Sequence, residues 1–535
     1  MRIMMTNSKY INQWIAGLFT CSLLIAPCLL SSCSEDEGNY DYHDIPEVTV
    51  KGVETNYTVM CGTGYVLEIK PEVTTTGNPN DLEYLWMMQT TNSPELNQTY
   101  VLGQECDLSW DIDETPPSLI ENGSTIVFRV TDKTSGVTVT KSAVITSTSR
   151  LGNGIMLMTE NKEGNGVLQF ISIATDTMVV YNALTEESGF NLPLGKPVNV
   201  ITTGRGVLLP PATYWLSTED DAWIIDANFH MTEGSAFSDN VLLTDEAYER
   251  GKNILADAFP HRRRVGETMM NLNSMNSAFC CTNGLLFFGS NSFVDPVNKL
   301  PGENDISLAR PYIFYPFSYA AFSYFMFYDY VHERFLQVGA SGLIAVPTAS
   351  KPSDAEGDIF PWDQSGVNRT LVFGQSTTNT DGGSTNGNCF ALMRNKSTND
   401  FFIYKFYKFL TINRKIDFYS IGKVGTDLDK ASFYAFSPKR TILYYSVGSK
   451  LYGLDYNKGN EKVYLIKDFG EEITYMRLDD QIEPTSGYIY LATYGTNGGT
   501  FMKMEEGTNP DKLELTEVSD SKWTGLNKIV GYTWK

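Results

Sequence analysis

Phe390-Ala391-Leu392-Met393, a polar turn over 394–400, and Phe401-Phe402-Ile403-Tyr404 form the unit whose recurrence decides the fold. Each apolar run is too short for a helix, and the Asn, Ser, Thr and Asp residues between them are turn formers, so the stretch reads as two β-strands. The same theme returns at 155–158 with 167–171, at 214–216 with 222–225, at 285–288, and at 322–328 with 335–338. Further copies are 433–436 with 442–445 and 488–491 with 501–504. Seven units between 151 and 535 average about 55 residues, against roughly 40–50 for regular propeller repeats, so the units are degenerate and carry insertions. Many short antiparallel strands in repeated units need radial closure to manage their edges, which makes a β-propeller-like domain of about seven blades the expected architecture. In it the strand-like end 528–534 completes the first blade. A pair of sandwiches is the rival. One helical insertion is expected over 245–258, capped by Asp245.

The chain before this region differs. From 45 to 150 it is short strands separated by Gly, Asn, Pro and Asp turns around Trp86, the pattern of a β-sandwich. Residues 33–44 are a polar, acidic tether, and residues 1–32 are a targeting segment. Arg2 and Lys9 supply its positive charge, 18–30 is mostly apolar, and Leu30-Ser31-Ser32 precedes Cys33. That is the pattern of a bacterial lipoprotein signal, in which the Cys33 thiol takes a diacylglyceryl group and becomes the mature N-terminus. A transmembrane helix needs about 20 apolar residues, and Cys21, Ser22, Pro27 and Cys28 interrupt this run. A multiply acylated cysteine, carrying palmitate-like chains at about 0.8 kcal/mol per buried methylene, keeps the protein on its membrane.

The formal charge of −22 becomes −24 once the two basic residues of 1–32 are removed, which excludes nucleic acid as a partner. Charged residues are 19% of the chain and aromatics 13%, which implies large ordered cores rather than disorder. After Cys33, the cysteines are Cys61, Cys106, Cys280, Cys281 and Cys389, too few and too scattered for a disulfide framework. Cys61 and Cys106 could pair; buried free thiols are the expected state.

No metal, catalytic or cofactor motif emerges. Four histidines without His-Glu-x-x-His or paired-cysteine spacing argue against zinc, and Glu219-Asp220-Asp221, Asp427 with Asp429, and Asp479-Asp480 lack calcium-loop spacing. The acidic triplet reads as a turn between two strands. Aromatics are the stronger signal: eleven of nineteen residues from Tyr312 to Tyr330 are Tyr or Phe. Alternation through Phe322, Tyr324, Met326 and Tyr328 suits a buried strand, whereas Tyr312 at the run's edge, Trp215 before the acidic turn, and Trp362 in a Pro-, Gly- and acid-rich segment are the candidate ligand-binding residues. Residues 375–388, with no strongly apolar member, read as a mobile loop.

Trp86 in Tyr84-Leu85-Trp86, Phe128-Arg129-Val130-Thr131-Asp132 and Gly136-Val137-Thr138-Val139-Thr140 together resemble a PKD-type immunoglobulin-like domain, in which an aspartate ends one strand and a glycine makes the turn to the last. The usual Trp-Asp-Phe-Gly-Asp run is replaced by Trp86-Met87-Met88-Gln89. With the tether Gly38-Asn39-Tyr40-Asp41-Tyr42 after a lipidation signal, the chain resembles the PKD-like family of Bacteroides lipoproteins, and Glu35, Asp36 and Glu37 resemble the export signal for the outer face of the outer membrane. The resemblance implies a non-catalytic accessory, working beside a TonB-dependent transporter and its SusD-like lipoprotein, that binds or retains glycan or peptide nutrients. A propeller-fold glycosidase or polysaccharide lyase, and a purely structural transporter subunit, are the alternatives.

Overall fold

The computed structural model describes residues 45–535 apart from 61–63, 90–99, 115–123, 149, 174–177, 190–194, 205–211, 227–228, 232–235, 243–253, 256–262, 266–267, 271–276, 282, 290–293, 318–323, 340–346, 425–426 and 510–511. The targeting segment, the tether, Cys33 and Cys61 lie outside the described residues. The chain is almost all β; the α-helices among the described residues are Ala183–Ser188 and Phe237–Asn240.

Strands from Val48–Lys51 to Thr138–Thr148 build the N-terminal unit. Its main sheet orders Asn56–Met60, Thr138–Thr148, Thr125–Asp132, Leu82–Gln89 and Tyr100–Gly103, and two two-stranded ladders pair Val48–Lys51 with Glu72–Thr75 and Val66–Ile69 with Leu108–Asp111. All share one core, in which Trp86 stacks on Phe128 with ring centroids 4.3 Å apart. Apolar and polar residues alternate along Thr125–Asp132, so one face is buried and one is wet. Asp132 ends this strand: its carboxylate accepts the Thr134 and Ser135 N–H groups at 3.0 and 2.8 Å and the Ser135 hydroxyl at 2.9 Å, while Gly136 takes a φ of 74°. These bonds, the Ser135 N–H first, hold the Asp132 carboxyl below the usual carboxylate range. Cys106 is a free thiol, its Sγ 3.8 Å from the Pro71 carbonyl oxygen.

From Gly154 onward the strands among the described residues form seven successive antiparallel sheets of three or four strands, one for each repeat unit, and a separate two-stranded ladder of Arg263–Val265 with Thr268–Met270. Sheet I orders Met178–Val180, Gly166–Ser172, Gly154–Glu160 and Lys528–Trp534. The C-terminal strand therefore completes the first sheet, with Ile155 opposite Trp534 and Leu157 opposite Tyr532. Sheet II is Pro197–Gly204, Ala212–Thr218 and Ala222–Ile225; sheet III is Ile254–Leu255, Ser277–Cys281 and Leu286–Gly289. Sheets IV to VII have four strands each and begin at Ala309–Phe314, Arg369–Ser376, Phe433–Phe436 and Glu472–Leu478. Of the expected helix over 245–258 the described residues are Ile254–Leu255, and these are strand; pairing with Cys280 and Cys281 outweighs the local helical pattern.

The packing explains why these strands are continuous apolar runs rather than alternating ones. Met156 and Met158 point into a core shared with Val200, Tyr214 and Leu216 of sheet II, while Ile155 and Leu157 point into a core shared with Tyr475, Tyr490 and Phe501 of sheet VII. One strand thus feeds two cores from its two faces. The same holds around the region: separate cores lie between sheets II and III, III and IV, IV and V, V and VI, and VI and VII. With the cores joining I to II and VII to I, every sheet is packed on both sides.

The segment from Thr377 to Asn388 is a closed, hydrogen-bonded loop rather than the loose one its composition predicts. Thr377 N–H donates to the Asn388 carbonyl at 2.9 Å, and the Asn388 side chain donates to Asn379 Oδ1 and to the Asp381 carbonyl, both at 2.8 Å. Side-chain amides supply the order that apolar contacts supply elsewhere.

Candidate functional site

Six of the seven sheets meet at one cavity of about 300 Å³. Its walls come from the first-edge strands Pro197–Gly204, Ala309–Phe314, Arg369–Ser376, Phe433–Phe436 and Glu472–Leu478, and from Lys528–Trp534. Each strand presents a partly buried residue there: Val198, Tyr312, Phe373, Phe433, Arg477 and Val530.

Close backbone approach makes this convergence possible. A Cβ on Gly374 would lie 2.5 Å from the Phe314 ring and 2.9 Å from Tyr312 Cβ, so glycine lets sheets IV and V meet with Tyr312 edge-on to Phe373 at 5.3 Å. A Cβ on Gly531 would fall 1.9 Å from Asn199 Oδ1, so glycine is required there too.

Several wall polar groups hold the sheets to each other. Gln375 Oε1 accepts the Phe436 N–H at 2.8 Å, joining sheets V and VI, and Ser376 Oγ accepts the Tyr315 N–H at 3.0 Å, joining sheets IV and V. Asn199 Oδ1 accepts the Val200 N–H at 2.7 Å. Tyr434 Oη donates to the Leu428 carbonyl at 3.0 Å, and burial pushes its phenol above the ordinary tyrosine value.

The charged groups on the wall are Arg477 and Asp480, paired at 2.6 Å with side chains 19% and 14% exposed. The loop after Glu472–Leu478 fixes this pair. Asp479, fully buried beside Asp480, accepts the N–H groups of Gln481, Ile482 and Glu483 at 3.0 Å each. Burial pushes the Asp479 carboxyl up, and the three N–H bonds oppose that shift. Gln481 extends the brace to the last strand, its Nε2 donating to the Thr533 hydroxyl at 3.1 Å and its Oε1 accepting the Trp534 N–H at 3.0 Å.

The three aromatic residues expected to bind ligand separate. Tyr312 lines the cavity. Trp362 does not: it is 2% exposed and packs edge-to-face on Phe335, Phe360 and Phe406 in the core between sheets IV and V. Its acidic, Pro- and Gly-rich neighbours form a strap, with the Trp362 N–H bonded to the Asp354 carboxylate at 2.8 Å and Lys415 of the edge strand pairing with Asp354 and Asp358. Trp215 is 1% exposed and sits edge-on to Phe237 at 6.0 Å in the core between sheets II and III. Neither tryptophan offers a ring face to a ligand, because both are swallowed by contacts between sheets. Met326 and Tyr328 are buried, but so are Phe325 and Phe327 between them, so both faces of the strand are covered; Tyr324 is partly buried and Phe322 lies outside the described residues. The Glu219-Asp220-Asp221 triplet forms the turn between Ala212–Thr218 and Ala222–Ile225.

Sequence reasoning passed over Phe373 and Arg477, read Phe433 only as part of a strand, and weighed Asp480 only as a calcium ligand. Phe373, Phe433 and Arg477 lie in the first strands of sheets V, VI and VII, and Asp480 follows the last of these. Among the described residues, no group of three or more His, Cys, Asp or Glu side chains is arranged to hold a metal ion.

No curated protein sequence matches the chain. Among solved structures it is distantly similar to a quinonprotein alcohol dehydrogenase-like protein from Bacteroides thetaiotaomicron, at 14% identity and TM-score 0.37, over 90% of this chain and 99% of that one. It is also distantly similar to dipeptidyl peptidase 4 of Porphyromonas gingivalis, at 12% identity and TM-score 0.26 over 70% and 54% of the two chains. A third is a rhamnogalacturonan lyase of Bacillus licheniformis, at 9% identity and TM-score 0.25 over 89% and 75%. Over residues 33–197 the chain matches the model of the PKD-like family.

Proposed function

We propose that the second region is a seven-bladed β-propeller presented by the PKD-like unit. We further propose that the protein is a lipid-anchored binding protein on the outer face of the outer membrane, non-catalytic, holding glycan or peptide nutrient for a TonB-dependent transporter of the SusC/SusD type. Seven sheets in succession, each packed on two neighbours, with the C-terminal strand in the first, support the propeller. The observation that carries the binding role is the cavity where six sheets converge. Its partly buried rings suit apolar ligand faces, Gln375 and Ser376 are committed to joining sheets, and one ion pair remains to orient a polar group. The lipidation pattern at Cys33 and the acidic residues after it support the location.

Chromatography of glycan and peptide pools incubated with the protein tests the role. Retention without shortening is expected. New fragments that vanish on substituting Asp480 or Tyr312 would establish the enzyme reading instead. Palmitate labelling lost in Cys33→Ala, together with co-purification of a TonB-dependent transporter, is expected from the native membrane; labelling that survives the substitution refutes the anchor.

A further inference from the structure

Resting on that binding role, we infer that the cavity takes the end of an uncharged glycan, one pyranose ring stacked on Tyr312 or Phe433 with neighbouring hydroxyls bridging Arg477 and Asp480. Three observations lead there. First, the described wall carries one cation and one anion, and these are bonded to each other at 2.6 Å. A uronate or sulfate drawn to Arg477 would meet the Asp480 carboxylate beside it, and an amine drawn to Asp480 would meet the guanidinium. The chain's formal charge of −22 adds to the bias against polyanions. A pair of adjacent hydroxyls suits both partners: a guanidinium has five N–H donors and a carboxylate about four acceptor sites, so one hydroxyl oxygen accepts from Arg477 while its neighbour donates to Asp480.

Second, the rings provide what the other face of a pyranose needs. Tyr312 and Phe433 are partly buried and line the cavity from strands of different sheets, and a ring's negative face attracts the polarised C–H groups that line one side of a sugar. Third, about 300 Å³ is at the small end of ligand sites, which run from roughly 300 to 1,000 Å³. That volume admits a chain end rather than a polymer laid along it.

Isothermal titration of the full chain in detergent tests this, using short neutral oligosaccharides of glucose, mannose, xylose and galactose, the matching uronate oligosaccharides, and a tripeptide pool. At least one neutral oligosaccharide is expected to bind. Tyr312→Ala and Asp480→Asn should each weaken it about tenfold, the loss that one stacking contact or one charge-assisted bond accounts for. Tyr312→Phe keeps the ring and should bind within about twofold of the unsubstituted chain, which separates loss of stacking from loss of fold. Reducing-end and non-reducing-end blocked sugars should differ in affinity, because only one end enters. Uronates or tripeptides binding more tightly than every neutral sugar, with the loss still mapping to Tyr312, would overturn the ligand class and leave the binding role intact. Binding untouched by both cavity substitutions would overturn the cavity as its site and leave the binding role intact, and no binding by any probe would overturn both.

Discussion

The hydroxyls of Thr202 and Thr533 lie 2.6 Å apart, and Thr202 also donates to the Trp534 carbonyl at 2.9 Å. Sheet II is thereby bonded to a strand that arrives at the far end of the chain, in surroundings closed to water. Thr533→Val strips a hydroxyl that also accepts from Gln481 and leaves buried groups unsatisfied. A loss of about 1–3 kcal/mol is expected, read by chemical denaturation. Deleting 528–535 should remove cooperative unfolding of the second region altogether, since the cores between I and II and between VII and I both lose a wall.

Gly531→Ala is expected to destabilise by about 1–3 kcal/mol, because the added methyl lands on the Asn199 side chain. Pairing it with Asn199→Ala should return part of that loss. A double-mutant cycle without coupling between the two positions would contradict the close approach.

Trp362→Ala should cost about 3–5 kcal/mol, the usual range for emptying an aromatic site in a core. Its melting temperature should fall while ligand affinity of the folded fraction stays constant, in contrast to Tyr312→Ala, which should lower affinity with a smaller effect on melting.

Glu303 makes a two-pronged contact with Arg334, at 3.0 and 2.6 Å, and a further one with Lys351 at 2.8 Å. The Arg334 hydrogen bonds, then the Lys351 bond, lower its carboxyl from 4.5 to about 2. A folded value below the unfolded one means stabilisation that is complete above about pH 4.5 and fades as pH falls toward 2. Glu303→Gln should flatten the acid limb of the stability curve within that window, measured by urea midpoints at successive pH values.

Burial raises the thiols of Cys280 and Cys389 to about 12, and raises Cys281 as well. All three should resist iodoacetamide in the folded protein and react in denaturant, as followed by mass spectrometry.

The repeat was legible because burial on both faces forces apolar runs such as Ile155-Met156-Leu157-Met158, which stand out against polar turns. The pairing of Lys528–Trp534 with Gly154–Glu160 was legible for the same reason: its residues are apolar beyond what an edge needs. Trp362 was misread because its immediate neighbours are acidic and flexible in composition, while its burial is decided by Phe335 and Phe406, which arrive from separate strands. Arg477 was invisible as a site because nothing local marks it, and the Asp479-Asp480 pair showed only the lack of calcium-loop spacing; the meaning of Arg477 with Asp480 depends on five other strands reaching the same cavity. The loop ending at Asn388 was misread because amide networks leave no apolar trace.

Sheet I is written at both borders of the second region, with Gly154–Glu160 near its start and Lys528–Trp534 at its close. A ribosome delivering the chain from its N-terminus releases this strand after every other strand of sheets I to VII. Hairpins of the intervening sheets can form early from local sequence, but two cores stay open until Lys528–Trp534 emerges. A chain that stops before Lys528 therefore lacks one wall of both cores and leaves a product that proteases can recognise as unfinished.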